Sequence, residues 1–229
     1  MVGMLLTMVG DAGRLGYKHL VHRFWSAAKL VGIPLCQELP ADGSAFCRAR
    51  RKLPWQFFQT LFQEVAAKFE ARFGAGLRWK GRQILAADGV KFALPRVKSL
   101  DHAFGTPKRA VRPMIAVLSV FDVLSRVTLG LMFGRYASSE RALLTAILDR
   151  IPAGSVLLLD RGFHGLVLLS ELVKRGIDFV ARVPASGSCR AVTRFVATGH
   201  ARGRITLMAS KAHPPGTPDL KVRIERVRE

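Results

Sequence analysis

Between residues 83 and 183 the chain lays out five apolar, β-prone runs in an order that few folds accept. Gln83–Leu94 is the first and ends at Pro95. Met114–Phe121 (MIAVLSVF) and Val127–Phe133 (VTLGLMF) follow, joined by a short turn that predicts an antiparallel pair. Ser138 and Ser139 are then placed to cap a helix from about Glu140 to Ile151, which Pro152 and Gly154 end. Val156–Leu159 (VLLL) is apolar throughout, as in a strand buried on both faces of a parallel sheet. His164–Lys174 reads as a helix stopped by Gly176, and Phe179–Arg182 as a last strand. The predicted class is therefore α/β, with the order β-β-β-α-β-α-β.

Three consecutive antiparallel strands followed by two α/β units is the order of an RNase H-like mixed sheet, in which the first and fourth strands lie side by side and parallel. Asp88 sits on the first strand and Asp160 closes the fourth. This arrangement would bring the two carboxylates to neighbouring strand positions, where like charges repel unless a cation stands between them. Hard oxygen donors select Mg²⁺ or Mn²⁺ over zinc. Such ions can activate a water or a 3′-hydroxyl against a phosphodiester. Each aspartate also has a purely local reading, since Asp-Gly after a strand is a turn signal and Asp160 is placed to cap the following helix.

Charge narrows the partner. Thirty-six Lys and Arg against sixteen Asp and Glu give a net charge of +20. The excess is spread along the chain, at +8 over residues 1–82, +6 over 83–185 and +6 over 186–229. A polyanionic partner follows, because each neutralised phosphate releases condensed counterions. No run of about 18 apolar residues exists to cross a membrane, the longest being broken by Asp122. The N-terminus lacks the order of a signal peptide, with Asp11 and Arg14 close behind its short apolar stretch. The odd set Cys36, Cys47 and Cys189 shows no CxxC spacing, which argues against a disulfide framework or zinc knuckle and for a reduced, cytoplasmic protein.

Residues 1–82 read as a small helical domain. One helix runs from about Tyr17 to Val31, and a second covers Ala45–Arg51 behind Asp42 and Ser44 as caps. A third carries Phe58, Leu61, Phe62, Val65, Phe69 and Phe73 on one face, a stripe read as core, and stops at Gly74. The basic cluster Arg48, Arg50, Arg51 and Lys52 lies on the short second helix; a solvated face and a phosphate contact are both open readings there. Residues 83–185 form the sheet domain. Residues 186–229 turn irregular and basic, with weak strand signals at Ile205–Met208 and Leu220–Val227 around a Pro-rich loop.

Residues 84–95 (ILAADGVKFALP) and 156–166 (VLLLDRGFHGL) resemble the first and second acidic motifs of DDE transposases of bacterial insertion sequences, in particular the IS-four family. Ser139-Glu140 before the second motif, Phe179–Val183 after it, and Ser44–Pro54 also resemble that family, so the likeness covers most of residues 42–185. The resemblance implies a DNA transposase that hydrolyses one strand at an element end and transfers the 3′-hydroxyl to target DNA. It implies Asp88 and Asp160 as metal ligands, double-stranded DNA as partner, the helical region as a DNA-binding part, and a homodimer. Arg48, Arg51 and Lys52 are that part's candidate DNA contacts, and Arg161 is placed either to touch DNA or to balance the Asp160 carboxylate. Two features depart from the family. Val90 stands where a threonine usually follows Asp-Gly. The late pattern Y-x(2)-R-x(3)-E-x(6)-K, which carries the third acid, does not occur, and neither Glu225 nor Glu229 has its neighbours. The expectation is a catalytic core met without its third acid, as in a chain cut off at the start of a basic, β-rich insertion. A non-catalytic DNA-binding remnant is the alternative, and a metal nuclease of the same fold a third reading.

Of the remaining features, His19 and His22 share a helical face but lack further ligands for a metal. His164 reads as a surface residue, Ser186-Gly187-Ser188 lacks the strand–turn–helix setting of a nucleophile elbow, and no P-loop is present.

Overall fold

A computed structural model describes residues 16–35, 43–187 and 189–227. Asp11, Arg14, Cys36, Asp42, Ser188 and Glu229 lie outside them. The chain divides into two compact units between Glu64 and Val65.

In the first unit, α1 (Tyr17–Leu30) and α2 (Ser44–Arg51) bury Val21 and Phe46 against Tyr17, Phe24 and Trp25. Tyr17 and Phe46 rings lie 5.6 Å apart, and the Arg50 guanidinium stacks 5.3 Å over Tyr17. Gly43 holds the N-cap position, so Ser44 is the first helical residue rather than the cap expected from sequence. The third helix, α3 (Trp55–Phe73), crosses the division and passes into a 3₁₀ turn at Gly74–Gly76. Its Phe stripe is not core. Only Ala66 is buried, while Phe58, Val65 and Phe73 are 40%, 59% and 48% exposed. Helical spacing names the residues that share a face; it does not say what covers that face.

The second unit carries β1 (Ile84–Ala93), α4 (Lys98–Phe104), β2 (Met114–Asp122), β3 (Thr128–Arg135), α5 (Glu140–Ile147), β4 (Val156–Leu159), α6 (Leu166–Lys174) and β5 (Asp178–Ala181). The five strands form one sheet in the order β3-β2-β1-β4-β5. β1, β2 and β3 are antiparallel neighbours, and β4 runs parallel to both β1 and β5. This is the RNase H-like order expected from sequence. Alternation along the strands sends Leu85, Ala87, Leu118, Val120 and Leu157 to one face. There Leu144, Ile147 and Leu148, from α5 and the turn after it, and Leu168 and Leu172 of α6 close over them. On the opposite face Val90, Phe92, Phe133 and Val180 remain at least 44% exposed.

The apolar run of β2 ends in a buried charge. Asp122 is wholly enclosed where β2 turns toward β3. Its Oδ1 accepts from Leu124 N (2.9 Å) and Ser125 N (3.0 Å), fixing the turn, and its Oδ2 accepts from Gln83 Nε2 (2.8 Å) with Arg78 Nη1 at 3.6 Å.

Beyond the sheet, residues 190–225 are more ordered than their sequence suggests. α7 (Arg190–Ala197) packs Phe195 against an antiparallel ribbon of β6 (Arg202–Leu207) and β7 (Leu220–Glu225). The strands correspond to the two weak signals in the sequence; α7, like α4, was not expected.

Candidate active site on β1 and β4

β1 and β4 share a register of Ile84 with Val156, Leu85 with Leu157 and Ala86 with Leu158. Carried two residues further, that register sets Asp160 level with Asp88. Both carboxylates are exposed, each one step beyond a buried residue, Ala87 and Leu159 respectively. The adjacency is a product of parallel pairing, since the two residues are far apart in sequence.

Each aspartate is held by its own backbone. Asp88 Oδ1 accepts from Gly89 N, and Asp160 Oδ1 accepts from Gly162 N, both at 2.8 Å. The second contact caps a 3₁₀ turn at Arg161–Phe163, so the local capping role read from sequence is realised for Asp160. Capping uses one oxygen of a carboxylate and leaves the other for a ligand. Phe163 anchors the turn at zero exposure in the core.

A third carboxylate stands here that sequence reading did not single out as a site residue. Glu140 opens α5, whose N-terminus is fixed by Ser139 Oγ accepting from Ala142 N at 3.2 Å. A Cβ placed on Gly89 would lie 2.6 Å from both Cγ and Cδ of Glu140. One placed on Gly162 would lie 3.1 Å from Glu140 Oε2 and 3.1 Å from Asp160 Oδ1. Glu140 therefore fits into a notch made by the two glycines that follow the acids. The signal was present in the sequence as a small residue beside each aspartate, but only tertiary contact tells which side chain fills the space. Arg141 and the exposed Arg161 add positive charge nearby, Arg141 Nη1 standing 3.1 Å from a Cβ placed on Gly165.

Among the described residues, no group of three His, Cys, Asp or Glu side chains is arranged so that it could hold a metal ion. The donor set nevertheless suits a hard cation. Mg²⁺ keeps several waters and is commonly bound through one or two carboxylates plus substrate phosphates. His19 and His22 gather no partners of that kind, and His164 turns a ring nitrogen to the Arg161 carbonyl.

A family profile described as "Transposase DDE domain" matches residues 79–217, more than half of the sequence. The chain belongs to that family. The chain is similar to the "Putative transposase InsZ" of Escherichia coli (strain K12), at 26% identity over 62% of this chain and 49% of the relative, and to the "Transposase InsG for insertion sequence element IS4" of the same organism. The latter is also 26% identical, over 56% of this chain and 29% of the relative. The match thus spans about half of the first relative and less of the second. The solved "Mos1 transposase paired-end complex with left transposon end" aligns with 87% of this chain and 64% of its own at a TM-score of 0.33 and 9% identity.

The DNA-contact residues expected from sequence fall in both units. Arg161 lies beside Asp160 in the second unit. Arg48 and Arg51 on α2, and Lys52 at its C-cap, are exposed in the first unit, whereas Arg50 of the same cluster is engaged with Tyr17. Cys47 and Cys189 are free thiols. No helix among the described residues is long and apolar enough to cross a membrane.

Proposed function

We propose that this chain provides the catalytic sheet of an insertion-sequence DNA transposase, with Asp88 and Asp160 as the carboxylates that hold Mg²⁺ or Mn²⁺. The observation that carries the reading is their shared level, Asp88 midway along β1 and Asp160 just past the end of β4, in a chain that belongs to the DDE-domain family. A bound divalent ion would supply Lewis-acid activation of a water or 3′-hydroxyl and charge stabilisation at the scissile phosphate. The protein's own part is positional. Gly89 N and Gly162 N each fix one carboxylate oxygen, the buried Phe163 holds the turn, and Arg161 offers a positive contact to a phosphate. The partner in this reading is double-stranded DNA, at element ends and at the target. Arg48, Arg51 and Lys52 contribute to holding it, pairing of two ends favours a homodimer, and the setting is the bacterial cytoplasm at the nucleoid. The boundaries 1–82, 83–185 and 186–229 keep their expected roles of DNA-binding region, catalytic core and basic insertion.

The test is a Mn²⁺ titration of the purified chain followed by paramagnetic resonance, beside a duplex-nicking assay. Asp88→Asn and Asp160→Asn should each weaken Mn²⁺ binding by ~10-fold or more, about 1.4 kcal/mol per tenfold. Variants that bind Mn²⁺ as tightly as the unaltered chain would overturn the assignment. Salt-sensitive DNA binding with no Mn²⁺ binding would instead establish the alternative, a DNA-binding protein without catalysis.

A further inference from the structure

The β6–β7 ribbon sorts its side chains completely by face. Gly203, Ile205, Leu207, Leu220, Val222 and Ile224 turn inward; at one end Phe195 of α7 fits against Gly203, and at the other Leu207 and Leu220 join the core of the main sheet. The outward face carries Arg202, Arg204, Lys221 and Arg223, all exposed, against one acid, Glu225. Arg202 Nε is paired with Glu225 Oε1 at 2.9 Å. Arg204 and Arg223 are direct cross-strand partners. Like charges opposite one another destabilise a ladder. Among the described residues, neither these two arginines nor Lys221 has an acidic partner to relieve that repulsion.

We infer that this outward face is a docking surface for the phosphate backbone of duplex DNA, separate from the carboxylate site; the inference rests on the DNA-transposase reading above. A fold that keeps two arginines opposed without a counter-charge stabilises an external polyanion instead of itself. A two-stranded ribbon has the dimensions to enter the major groove. The charges are presented from strands packed on a hydrophobic core, so binding does not have to order a flexible tail.

Binding of the full chain to a labelled duplex of arbitrary sequence, followed by fluorescence anisotropy between 50 and 200 mM salt, tests it. Arg204→Gln, Lys221→Gln and Arg223→Gln together should lower the steepness of log K against log salt by about 2.7, roughly 0.9 per lost phosphate contact. The same charge change at the exposed Arg126, Arg150 and Lys174, which belong to neither the ribbon nor the carboxylate site, should leave the slope within about one contact of the parent. Arg204→Lys with Arg223→Lys should retain it, since a phosphate contact needs the charge rather than the fork. A single Arg223→Glu should raise the melting temperature by giving Arg204 an opposite charge, while weakening DNA binding. Movement of the two readouts in opposite directions is something a purely structural role would not produce. An unchanged slope in the ribbon triple variant overturns this inference and leaves the transposase reading standing. A parent chain with no salt dependence removes both.

Discussion

The Glu140 side chain occupies the space that a Cβ on Gly89 would need, with its Cγ and Cδ 2.6 Å from that position. Helix α5 and strand β1 therefore meet at the acidic motif itself. The contact ties the first aspartate's neighbour to the element that precedes the second.

Gly89→Ala tests the contact through a change of sign. In the parent the added methyl pushes the end of the Glu140 side chain aside, which should destabilise by about 0.5–1.5 kcal/mol. In a Glu140→Ala background the clash is gone, and what remains is the gain of about 0.4–1 kcal/mol from a less flexible unfolded chain. Urea denaturation of the four proteins gives the cycle. Equal effects in both backgrounds would show that Glu140 and Gly89 do not touch.

Asp160 has a structural duty and a proposed ligand duty, and two substitutions separate them. Asparagine retains an oxygen to accept from Gly162 N, so Asp160→Asn should leave stability within about 0.5 kcal/mol of the parent while removing a charged ligand. Asp160→Ala loses both and should cost about 1 kcal/mol in addition. A Mn²⁺ affinity unchanged in the asparagine variant, at unchanged stability, would reduce Asp160 to a turn cap.

The five strands and the pairing of β1 with β4, which sets Asp88 and Asp160 at one level, are legible because both depend on chain order. Apolar runs such as VLLL and MIAVLSVF carry strand identity locally, and the parallel neighbour of the first strand follows from the connections. Elements with weaker local signals were missed. Helix α4 spans seven residues with no side-chain cap, and α7 buries only Val192 and Phe195. Periodicity, which is local, marks the Phe stripe of α3 as one helical face, whereas burial is not local and leaves Phe58 and Phe73 exposed. Glu140 escaped for the same reason, its place depending on the absence of side chains on two glycines distant from it in sequence. The ribbon's opposed arginines could not be seen before the register of β6 and β7 was known.

Asp122 should prove among the least replaceable polar residues of the second unit. Its carboxylate accepts from two turn amides and the Gln83 side chain, and stands 3.6 Å from Arg78 Nη1, without exposure to water. Asp122→Ala would leave those donors unmatched, at a cost of roughly 3–5 kcal/mol. Asp122→Asn keeps an acceptor for the turn amides but sets an amide group toward Gln83 and Arg78, and should cost about half as much. The midpoint of urea denaturation should fall in that order with an unchanged slope. A loss of less than about 1 kcal/mol for the alanine variant would mean that water, rather than protein, satisfies the turn.

Gly203 governs how α7 meets the ribbon. A Cβ there would stand 2.6 Å from Phe195 Cε2, and a ring of 8% exposure has little room to yield. Gly203→Ala should therefore destabilise by about 1–3 kcal/mol, although alanine is a better strand residue than glycine. Shortening the ring by Phe195→Leu in the same chain should recover part of the loss, because the added methyl then fills space the ring vacated. The outward arginines are untouched by either change, so residual salt-dependent DNA binding in the folded fraction should match the parent. Hydrogen exchange across residues 190–225 locates the effect: faster exchange confined to α7 and the ribbon is expected, whereas uniform loss of protection would place Gly203 in the cooperative core of the main sheet.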